Sequence, residues 1–195
     1  MRAFCLSAAL MLLFVSPVQA ADDVPVFKVT PLESNISFDV NASVAIKGTF
    51  KKWDASLTFT SADASTGVLD INIAADSVDT GSGMKDNKLK GKDFFDVKQN
   101  PSITFHSTKI VQTGPDTFDV VGKFTLRGVS RDEKLVFKAE GVGTGTGTIN
   151  GTMAFDRREY GMNSGIPFIK IADRVEVTVK ISATRVSGPP LILKH

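Results

Sequence analysis

Side chains that could carry out acid–base or nucleophilic chemistry are few in this chain of 195 residues. There are two histidines, His106 and the C-terminal His195. His106 lies between Phe105 and Ser107, in a stretch that alternates apolar and polar residues, so it falls on the polar face of a predicted strand. A serine–histidine–aspartate arrangement would depend on His106, and a surface-facing histidine is the favoured interpretation.

Carboxylates and cysteines do not form a recognisable site either. The sequence contains no HxxxH or CxxC spacing that would suit a metal ion. The acidic pairs at 22–23 and 132–133 lie at the mature N terminus and in a predicted turn, whereas a glycosidase needs two carboxylates that face each other across a cleft. The sequence therefore predicts no catalytic residue, no metal ligand and no cofactor, and it favours a protein that is not an enzyme.

The first twenty residues have the composition of a secretory signal peptide. Arg2 precedes an apolar run over residues 8–15, and small residues lead up to Ala20, where signal peptidase would cleave. The run is too short to span a bilayer core of about 30 Å. We expect export through the Sec pathway, cleavage after Ala20 with Ala21 as the alternative, and a mature protein of one domain, residues 21–195.

The mature sequence carries little net charge and no thiol. Removal of the signal peptide takes away Arg2 and Cys5, which leaves 22 basic residues, 21 acidic residues and no cysteine. The two signs are interspersed, without the basic stripe that is typical of nucleic-acid binding. Stability therefore has to come from burial and sheet hydrogen bonds, not from disulfides. No second stretch is long and apolar enough to predict a transmembrane helix.

Alternation of apolar and polar residues runs through almost all of the mature chain. Ile36, Phe38 and Val40 share one face, and the pattern resumes at Val44 and Ile46. The opposite face is mostly Ser, Thr, Asn, Asp or Lys, which is typical of strands with one buried face. About eight such segments are predicted, at 36–50, 55–59, 69–73, 103–105, 118–126, 135–139, 149–155 and 175–181.

Strands with one apolar face each, joined mostly by short turns, have to bury those faces against one another. Closure into an antiparallel β-barrel does this and removes exposed strand edges. The predicted fold class is all-β, an antiparallel barrel of about eight strands, with a two-sheet sandwich as the alternative. A barrel of this size has room for one small ligand. The glycine-rich stretch 141–147 lacks the context of a phosphate loop and is predicted to be a flexible hairpin connection or a weak edge strand.

The segment from Asp86 to Ser107 interrupts the alternation. Residues 86–90 are compatible with one or two helical turns, and Leu89, Phe94 and Phe95 are spaced too irregularly for a strand. The period of two returns within the last five residues of the segment. We predict a short helical lid, in which these three apolar side chains close one mouth of the barrel.

Phenylalanine is abundant, with 14 residues against one Trp and one Tyr. Its ring adds bulk without a polar group, which suits either a dry core or a cavity for an apolar tail. Because protein interiors are normally close-packed, composition alone favours a filled core over a cavity.

Seven short motifs occur in order through nearly the whole mature chain. They are SNISF at 34–38, GTF at 48–50, VDTG at 78–81, DNKLK and DFFDV within 86–97, PSITFHS at 101–107, GKFTLRGVS at 122–130 and RREYGM at 157–162. Each motif alone is weak evidence, but seven in this order behind a signal peptide are specific. In these motifs the sequence resembles the YceI-like family, bacterial periplasmic proteins of lipocalin-like fold that bind polyisoprenoids.

The resemblance implies a periplasmic binding or carrier protein that holds an isoprenoid lipid, such as a quinone or a polyprenyl-type amphiphile, in the barrel. A long tail would gain about 25 cal/mol for every Å² of apolar surface that it removes from water. The implied partner is an isoprenoid or another long-chain amphiphile, and the oligomeric state is left open, with a homodimer as one candidate.

Fourteen residues are predicted to contact this ligand, as interior wall, lid or polar end. Those of the wall and the lid are Phe38, Val40, Ile46, Phe59, Ile71, Leu89, Phe94, Phe95, Phe105, Phe124, Phe137 and Phe155. Arg157 and Tyr160 are candidates for the polar end, with a structural ion pair or hydrogen bond as an equally weighted interpretation.

Two other classes of function stay open. A lipid-modifying enzyme would use His106, Arg157 or Asp173 in its chemistry. A stress-induced, chaperone-like interaction module would expose an apolar patch instead of enclosing a cavity.

Overall fold

The computed structural model describes residues 24–43, 46–165 and 168–193. The predicted signal peptide, its cleavage site and Val44 lie outside this part of the chain. The described residues form eleven strands and one α-helix, α1 (Gly83–Lys90). The strands are β1 (Val26–Val29), β2 (Asn35–Ala42), β3 (Ile46–Phe50), β4 (Trp53–Thr58), β5 (Val68–Ala74), β6 (Val78–Asp79), β7 (Ser102–Gln112), β8 (Thr117–Leu126), β9 (Val129–Glu140), β10 (Thr146–Asp156) and β11 (Ile171–Ser187).

All strand pairs in the sheet are antiparallel, in the order β4-β5-β7-β8-β9-β10-β11-β2-β3-β6, and β1 pairs with the far end of β11. Burial alternates along the strands as the sequence predicts. On β8, for example, Phe118, Val120, Phe124 and Leu126 are buried, while Lys123 between them is exposed. Each strand therefore contributes one face to a common apolar interior.

The two ends of this strand order are brought together because two strands bend and continue. Lys51 and Lys52 alone separate β3 from β4, and a short 3-10 turn over 75–77 separates β5 from β6. Across the bend, the Lys51 N–H donates to the Ser77 carbonyl at 3.0 Å and the Ala74 N–H donates to the Lys52 carbonyl at 3.0 Å. The sheet thus curls round a single interior, and the predicted antiparallel barrel is confirmed.

The predicted number of about eight strands is wrong. Alternation missed the short strands β1 and β6 and read residues 36–50 as one strand, whereas β2 and β3 form a hairpin in which Phe38 lies opposite Gly48 and Val40 opposite Ile46. Residues directly opposite each other in an antiparallel pair point to the same face. The alternation of apolar and polar residues therefore continues unchanged through the turn, and periodicity alone cannot detect the turn.

Two hairpin turns depend on residues with positive φ. The turn from β8 to β9 consists of Arg127 and Gly128, with φ of 54° and 73°, the left-handed pair that matches strand twist in a two-residue hairpin. In the connection from β9 to β10, Gly141, Gly143 and Gly145 have φ of 72°, 88° and 88°, which favours glycine. The predicted hairpin connection is confirmed for residues 141–145, whereas Thr146 and Gly147 already belong to β10.

Inward-facing glycines make room for phenylalanine rings on the neighbouring strand. Gly48 lies opposite Phe38 and Gly151 opposite Phe137. A Cβ atom at Gly48 would lie 2.6 Å from the Phe38 ring, and one at Gly151 would lie 2.2 Å from the Phe137 ring. Both rings therefore rest on bare backbone, which lets the interior hold large aromatic side chains on adjacent strands.

Candidate functional site

Helix α1 covers one end of the curled sheet, and its N-terminal half is tied to the end of β6. Eight residues are too few for a helix that is stable on its own in water. One oxygen of the Asp86 carboxylate accepts hydrogen bonds from the Thr80 N–H at 2.8 Å and the Thr80 hydroxyl at 2.7 Å. Leu89 is buried beneath the helix. The predicted helical turns at 86–90 are confirmed.

The chain after α1 is fixed by its own backbone hydrogen bonds. The Phe95 N–H donates to the Leu89 carbonyl at 2.9 Å, and the Val97 N–H donates to the Lys90 carbonyl at 3.2 Å. These turns direct Phe94 and Phe95 inward, and both are buried. We call residues 83–97 the lid segment, because its Leu89, Phe94 and Phe95 all point into the interior, as the sequence predicted.

Phe95 packs against two strands of the sheet. Its ring centroid lies 6.3 Å from that of Phe38 on β2, in an edge-to-face arrangement, and 5.9 Å from that of Phe50 on β3. Aromatic pairs in this range add to the free energy gained from burial, by about 0.5–1.5 kcal/mol each. The lid segment is therefore held by aromatic packing at the same edge where β3 has only the short β6 as its outer partner.

An apolar cavity lies between the lid segment and the sheet, and we call it the lid cavity. It encloses about 1010 Å³ of empty space, counting the part that opens to solvent. Nine of the fourteen residues predicted to contact a ligand line it, namely Phe38, Val40, Ile46, Leu89, Phe94, Phe95, Phe124, Phe155 and Arg157. Further wall residues that the sequence did not single out include Ile73, Met162, Ile169 and Ile171.

Three cationic side chains are the charged groups that line the lid cavity in the described part of the chain. They are Lys85, Lys88 and Arg157. The Lys88 ammonium lies 2.7 Å from the Asp93 carboxylate and 5.7 Å from the centre of the Phe94 ring. The hydrogen bond and the positive charge of Lys88 lower the pKa of Asp93 below its ordinary value. Sequence reasoning missed both lysines, although their spacing of three residues next to Leu89 places all three on one side of a helix.

Arg157 is nearly fully buried, with 5 % of its surface exposed. Its guanidinium donates to the backbone carbonyls of Ala172 at 3.1 Å, Ser164 at 3.0 Å and Met162. One nitrogen also lies 3.0 Å from the Asp173 carboxylate, at ion-pair distance but not aligned as a hydrogen bond. Most of its five N–H donors are thus committed to the protein, which supports the structural interpretation of Arg157.

Tyr160 lies behind the wall of the lid cavity and does not line it. Its ring packs at 5.4 Å from Phe124 and 5.1 Å from Phe155, and its hydroxyl donates to the Glu133 carboxylate at 2.8 Å. Burial, together with this hydrogen bond, raises the pKa of the Tyr160 phenol well above its ordinary value. The prediction that Tyr160 stands at the polar end of a ligand site is therefore not supported, because the side chain is enclosed by the core.

A second apolar cavity lies at the other end of the barrel, and we call it the distal cavity. Phe59 and Phe137 line it, and not the lid cavity. Ile71 and Phe105 line neither cavity and are 4 % exposed. The single tube predicted from the sequence is thus divided into two spaces, because side chains at mid-height fill the barrel.

Residues proposed for catalysis are not brought together. His106 lies on the outer face of β7, where its Nδ1 is 2.5 Å from a carboxylate oxygen of Asp70, and both side chains are about half exposed. Arg157, which is buried, and Asp173, which is partly exposed, contact each other at 3.0 Å, and neither is a partner of His106. Among residues 24–43, 46–165 and 168–193, no three His, Cys, Asp or Glu side chains are placed to share a metal ion, and no helix is long and apolar enough to cross a membrane.

Comparison with known proteins identifies relatives over most of the chain. The YceI-like domain family model matches residues 27–183. A UPF0312 protein of Pseudomonas savastanoi is 32 % identical over 133 residues, which cover 66 % of this chain and 69 % of the relative. A UPF0312 protein of Azotobacter vinelandii is 35 % identical over 98 residues, and the match spans half the length of each protein.

Solved structures share the architecture described above. The crystal structure of Burkholderia cenocepacia BcnA superposes with a TM-score of 0.73 at 28 % identity, covering 80 % of this chain and all of that protein. A polyisoprenoid binding domain from Saccharophagus degradans superposes with a TM-score of 0.65 at 14 % identity, covering 83 % of this chain and 99 % of that domain, and shows the shared fold. With its motifs, its curled antiparallel sheet and a family match over residues 27–183, the chain belongs to the YceI-like domain family.

Proposed function

We propose that the protein binds an isoprenoid lipid and carries its apolar tail in the lid cavity. The observation that carries this proposal is the cavity itself, which is walled by apolar side chains on seven strands and covered by the buried Leu89, Phe94 and Phe95. The family, and the polyisoprenoid binding domain that shares its fold, support the choice of ligand class.

The polar end of the ligand would lie at the rim, beside the lysines of α1. Lys85 and Lys88 line the cavity from the helix side, and neither is buried. An ammonium group donates hydrogen bonds to carbonyl or phosphate oxygens, so a quinone and a polyprenyl phosphate both fit this rim. Arg157 contributes positive charge but few free donors, since its guanidinium holds three carbonyls.

The periplasm is the proposed location, because the first twenty residues have the composition of a signal peptide. Sequencing of the N terminus of protein from the periplasmic fraction of its own host tests this, and Ala21 is the expected first residue. A chain that starts at Met1, or that stays in the cytoplasmic fraction, would contradict the proposal. A homodimer is proposed as the assembly, to be measured by light scattering after gel filtration.

Mass spectrometry of organic extracts tests the lipid ligand. The protein is purified from its own host as wild type and as two variants of β11, Val177→Phe and Thr178→Phe. Val177 faces the lid cavity, whereas its neighbour Thr178 faces solvent. We expect an isoprenoid lipid, up to one per chain, in wild type and in Thr178→Phe, and at least a tenfold lower amount in Val177→Phe.

Two results would contradict the proposal. One is an extract of wild-type protein that contains no isoprenoid lipid, and the other is full retention of the lipid by folded Val177→Phe. Retention of a non-isoprenoid amphiphile with the same dependence on Val177 would keep the carrier role and change the ligand class. The chaperone-like alternative predicts instead that unfolded segments compete with the lipid for the protein.

A further inference from the structure

The distal cavity is a space of its own, and its wall is also predominantly apolar. It encloses about 920 Å³ of empty space, counting the part that opens to solvent. Four phenylalanines from four different parts of the chain line it, namely Phe27, Phe59, Phe118 and Phe137. The C-terminal segment supplies Leu191 and Leu193 to the same wall.

Successive inward-facing residues on single strands show that the two cavities lie above one another along the barrel. On β5, Leu69 lines the distal cavity and Ile73 the lid cavity, with Ile71 between them. On β11, Ala183 lines the distal cavity and Val175 the lid cavity. The intervening inward-facing residues, which we call the divider, are each 6 % exposed or less: Ile71, Phe105, Leu135, Met153, Val179 and Ile181.

The divider is closely packed at its largest side chain. Phe105 lies directly opposite Ile71 on the neighbouring strand. A Cβ atom at Gly122 would lie 2.7 Å from the Phe105 ring, so the ring rests on the bare backbone of β8. Close packing of this kind leaves no channel for a tail between the two cavities.

The lining of the distal cavity favours a neutral ligand. Glu140 and Arg185 are the charged residues that line it among those the structure describes, and they are of opposite sign. The Arg185 guanidinium donates to the Gly188 carbonyl, and the Thr148 hydroxyl lies 3.1 Å from the Ser182 hydroxyl. The Arg185 guanidinium and the Thr148 hydroxyl are thus already bonded within the protein, and a charged ligand placed against this largely apolar wall would lose much of its hydration.

One side of the distal cavity is closed by the C-terminal segment, which is fixed to the barrel through its backbone. The Ile192 N–H donates to the Ala62 carbonyl at 2.8 Å, and the Ala64 N–H donates to the Ile192 carbonyl at 3.4 Å. These bonds hold Leu191 and Leu193, on either side of Ile192, against the cavity. The wall is therefore formed by the folded chain before any ligand arrives.

We infer that the distal cavity is a second binding site, separate from the lid cavity, for a small uncharged apolar molecule. The site is formed by the aromatic wall, the divider below it and the C-terminal segment beside it. It does not depend on an isoprenoid ligand in the lid cavity, since no residue lines both cavities.

Counting bound probe molecules tests the inference. Full-length mature protein, stripped of lipid on a hydrophobic resin, is titrated with N-phenyl-1-naphthylamine, an uncharged apolar fluorophore. The matched variants are Ala139→Phe, which fills the distal cavity, and Val177→Phe, which fills the lid cavity; both positions are partly buried and face inward. We expect two bound probes per chain in wild type and one in each variant.

The inference is overturned by either of two counts. If Ala139→Phe binds as many probes as wild type, the distal cavity holds none. If each variant abolishes all binding, the interior is one continuous site. Circular dichroism checks that the variants are folded, and Ile149→Phe, another residue of the distal wall, replaces Ala139→Phe if that variant is not.

Competition with a long-chain polyprenol separates this inference from the proposed function. If both are correct, the polyprenol displaces from wild type only the probe in the lid cavity. The probe in the distal cavity, which Ala139→Phe cannot bind, stays in place. If the polyprenol displaces neither probe, the isoprenoid role of the lid cavity fails, while a count of two still supports the distal site.

Discussion

The two ends of this barrel are built from the same strands but are closed in different ways. The lid cavity is covered by a segment with one short helix, which is tied to β6 by the Asp86 carboxylate and rimmed by Lys85 and Lys88. The distal cavity is bounded by a glycine-rich turn and by the C-terminal segment, which is held through backbone hydrogen bonds of Ile192. The first end combines an apolar wall with three cations, and the second combines an apolar wall with one acidic and one basic residue, Glu140 and Arg185.

This difference shows how a repetitive strand pattern can be closed in two different ways. Five strands, β5, β7, β8, β10 and β11, contribute different inward-facing residues to the two cavities, and most of those residues are aliphatic or aromatic. What distinguishes the ends is the connection that covers each one, because loops tolerate insertions and charges that the strands do not. The divider between them keeps the two environments apart.

Removal of the divider should have the largest effect. We expect Phe105→Ala to lower the free energy of unfolding by about 3–5 kcal/mol, since it leaves a cavity where a buried ring packs. Urea unfolding followed by the fluorescence of Trp53, the single tryptophan, measures this change. The control is Phe168→Ala, at a fully exposed ring, which should change the value by less than about 0.5 kcal/mol.

The same variant also tests the separation of the cavities. In Phe105→Ala, long and short polyprenols should both displace the probe from the distal cavity. In wild type the intact divider prevents this displacement. Equal stability of Phe105→Ala and wild type would show that the middle of the barrel is not packed as described above.

Two glycine variants form a matched pair, one for each cavity. Gly48→Ala forces a Cβ atom against the ring of Phe38 in the lid cavity, and Gly151→Ala does so against Phe137 in the distal cavity. Overpacking of this kind costs about 1–3 kcal/mol of stability. We expect Gly48→Ala to weaken only the binding of polyprenol to the lid cavity. We expect Gly151→Ala to weaken only the binding of the probe to the distal cavity. A common effect of both variants on both ligands would argue against two separate sites.

Loosening of the lid segment should have a smaller effect on stability. Asp86→Ala leaves the N–H and the hydroxyl of Thr80 without their acceptor, at a cost of about 1 kcal/mol. Stopped-flow measurements should show faster release of ligand from the lid cavity and unchanged release from the distal cavity.

Two further variants serve as controls for the lid experiment. Asp86→Asn keeps an oxygen acceptor at the same place and should restore most of the slow release. Asp76→Ala removes an exposed carboxylate of the neighbouring turn and should behave as wild type. Slow release in folded Asp86→Ala would mean that the lid segment does not limit access to the cavity.

The smallest effect concerns the wall behind the lid cavity at alkaline pH. Because the pKa of Tyr160 is raised in the folded protein, its contribution to stability is complete below the ordinary tyrosine pKa of about 10 and is lost as the pH rises further. The unfolded chain releases the proton first, so unfolding is favoured above pH 10. By pH 10.5 the free energy of unfolding of wild type, compared with that of Tyr160→Phe, should be about 0.8 kcal/mol lower than at neutral pH.

Absorbance at 295 nm provides a direct reading of this group, since Tyr160 is the one tyrosine of the chain. In the folded protein, tyrosinate should not form until the pH is well above 10, or until the protein unfolds. A titration with a midpoint near 10 in folded protein would show that the phenol is not enclosed beside Phe124 and Phe155.

Sequence reasoning anticipated the lid and nine of the residues that line its cavity, and it failed at particular residues for identifiable reasons. Leu89, Phe94 and Phe95 were found because they break a period of two, which is a local signal. Phe59 and Phe137 were grouped with them, although they line the distal cavity. Depth along the barrel depends on strand register and tilt, and the alternation of residues within one strand contains neither.

Arg157 and Tyr160 show the same limit for polar groups. Their types suggested a site for a head group, but Arg157 binds backbone carbonyls and Tyr160 binds Glu133, which is 27 residues away in sequence. Partners at such a separation cannot be inferred from one sequence, since nothing local specifies which strands bring them together. By contrast, the spacing of Lys85 and Lys88 does predict that both lie on one side of the helix, and sequence reasoning did not use it.

The sequence by itself determined that this chain forms antiparallel strands with one apolar face, that glycine turns join them, and that a short lid interrupts them. These features follow from residue types and their local spacing, because the backbone places successive side chains on opposite faces of a strand. Only the tertiary structure decided that the interior is two cavities and not one tube. That outcome depends on Phe105 meeting Ile71 and the bare backbone of Gly122 across three strands, and contacts of this kind exist only once the sheet has curled.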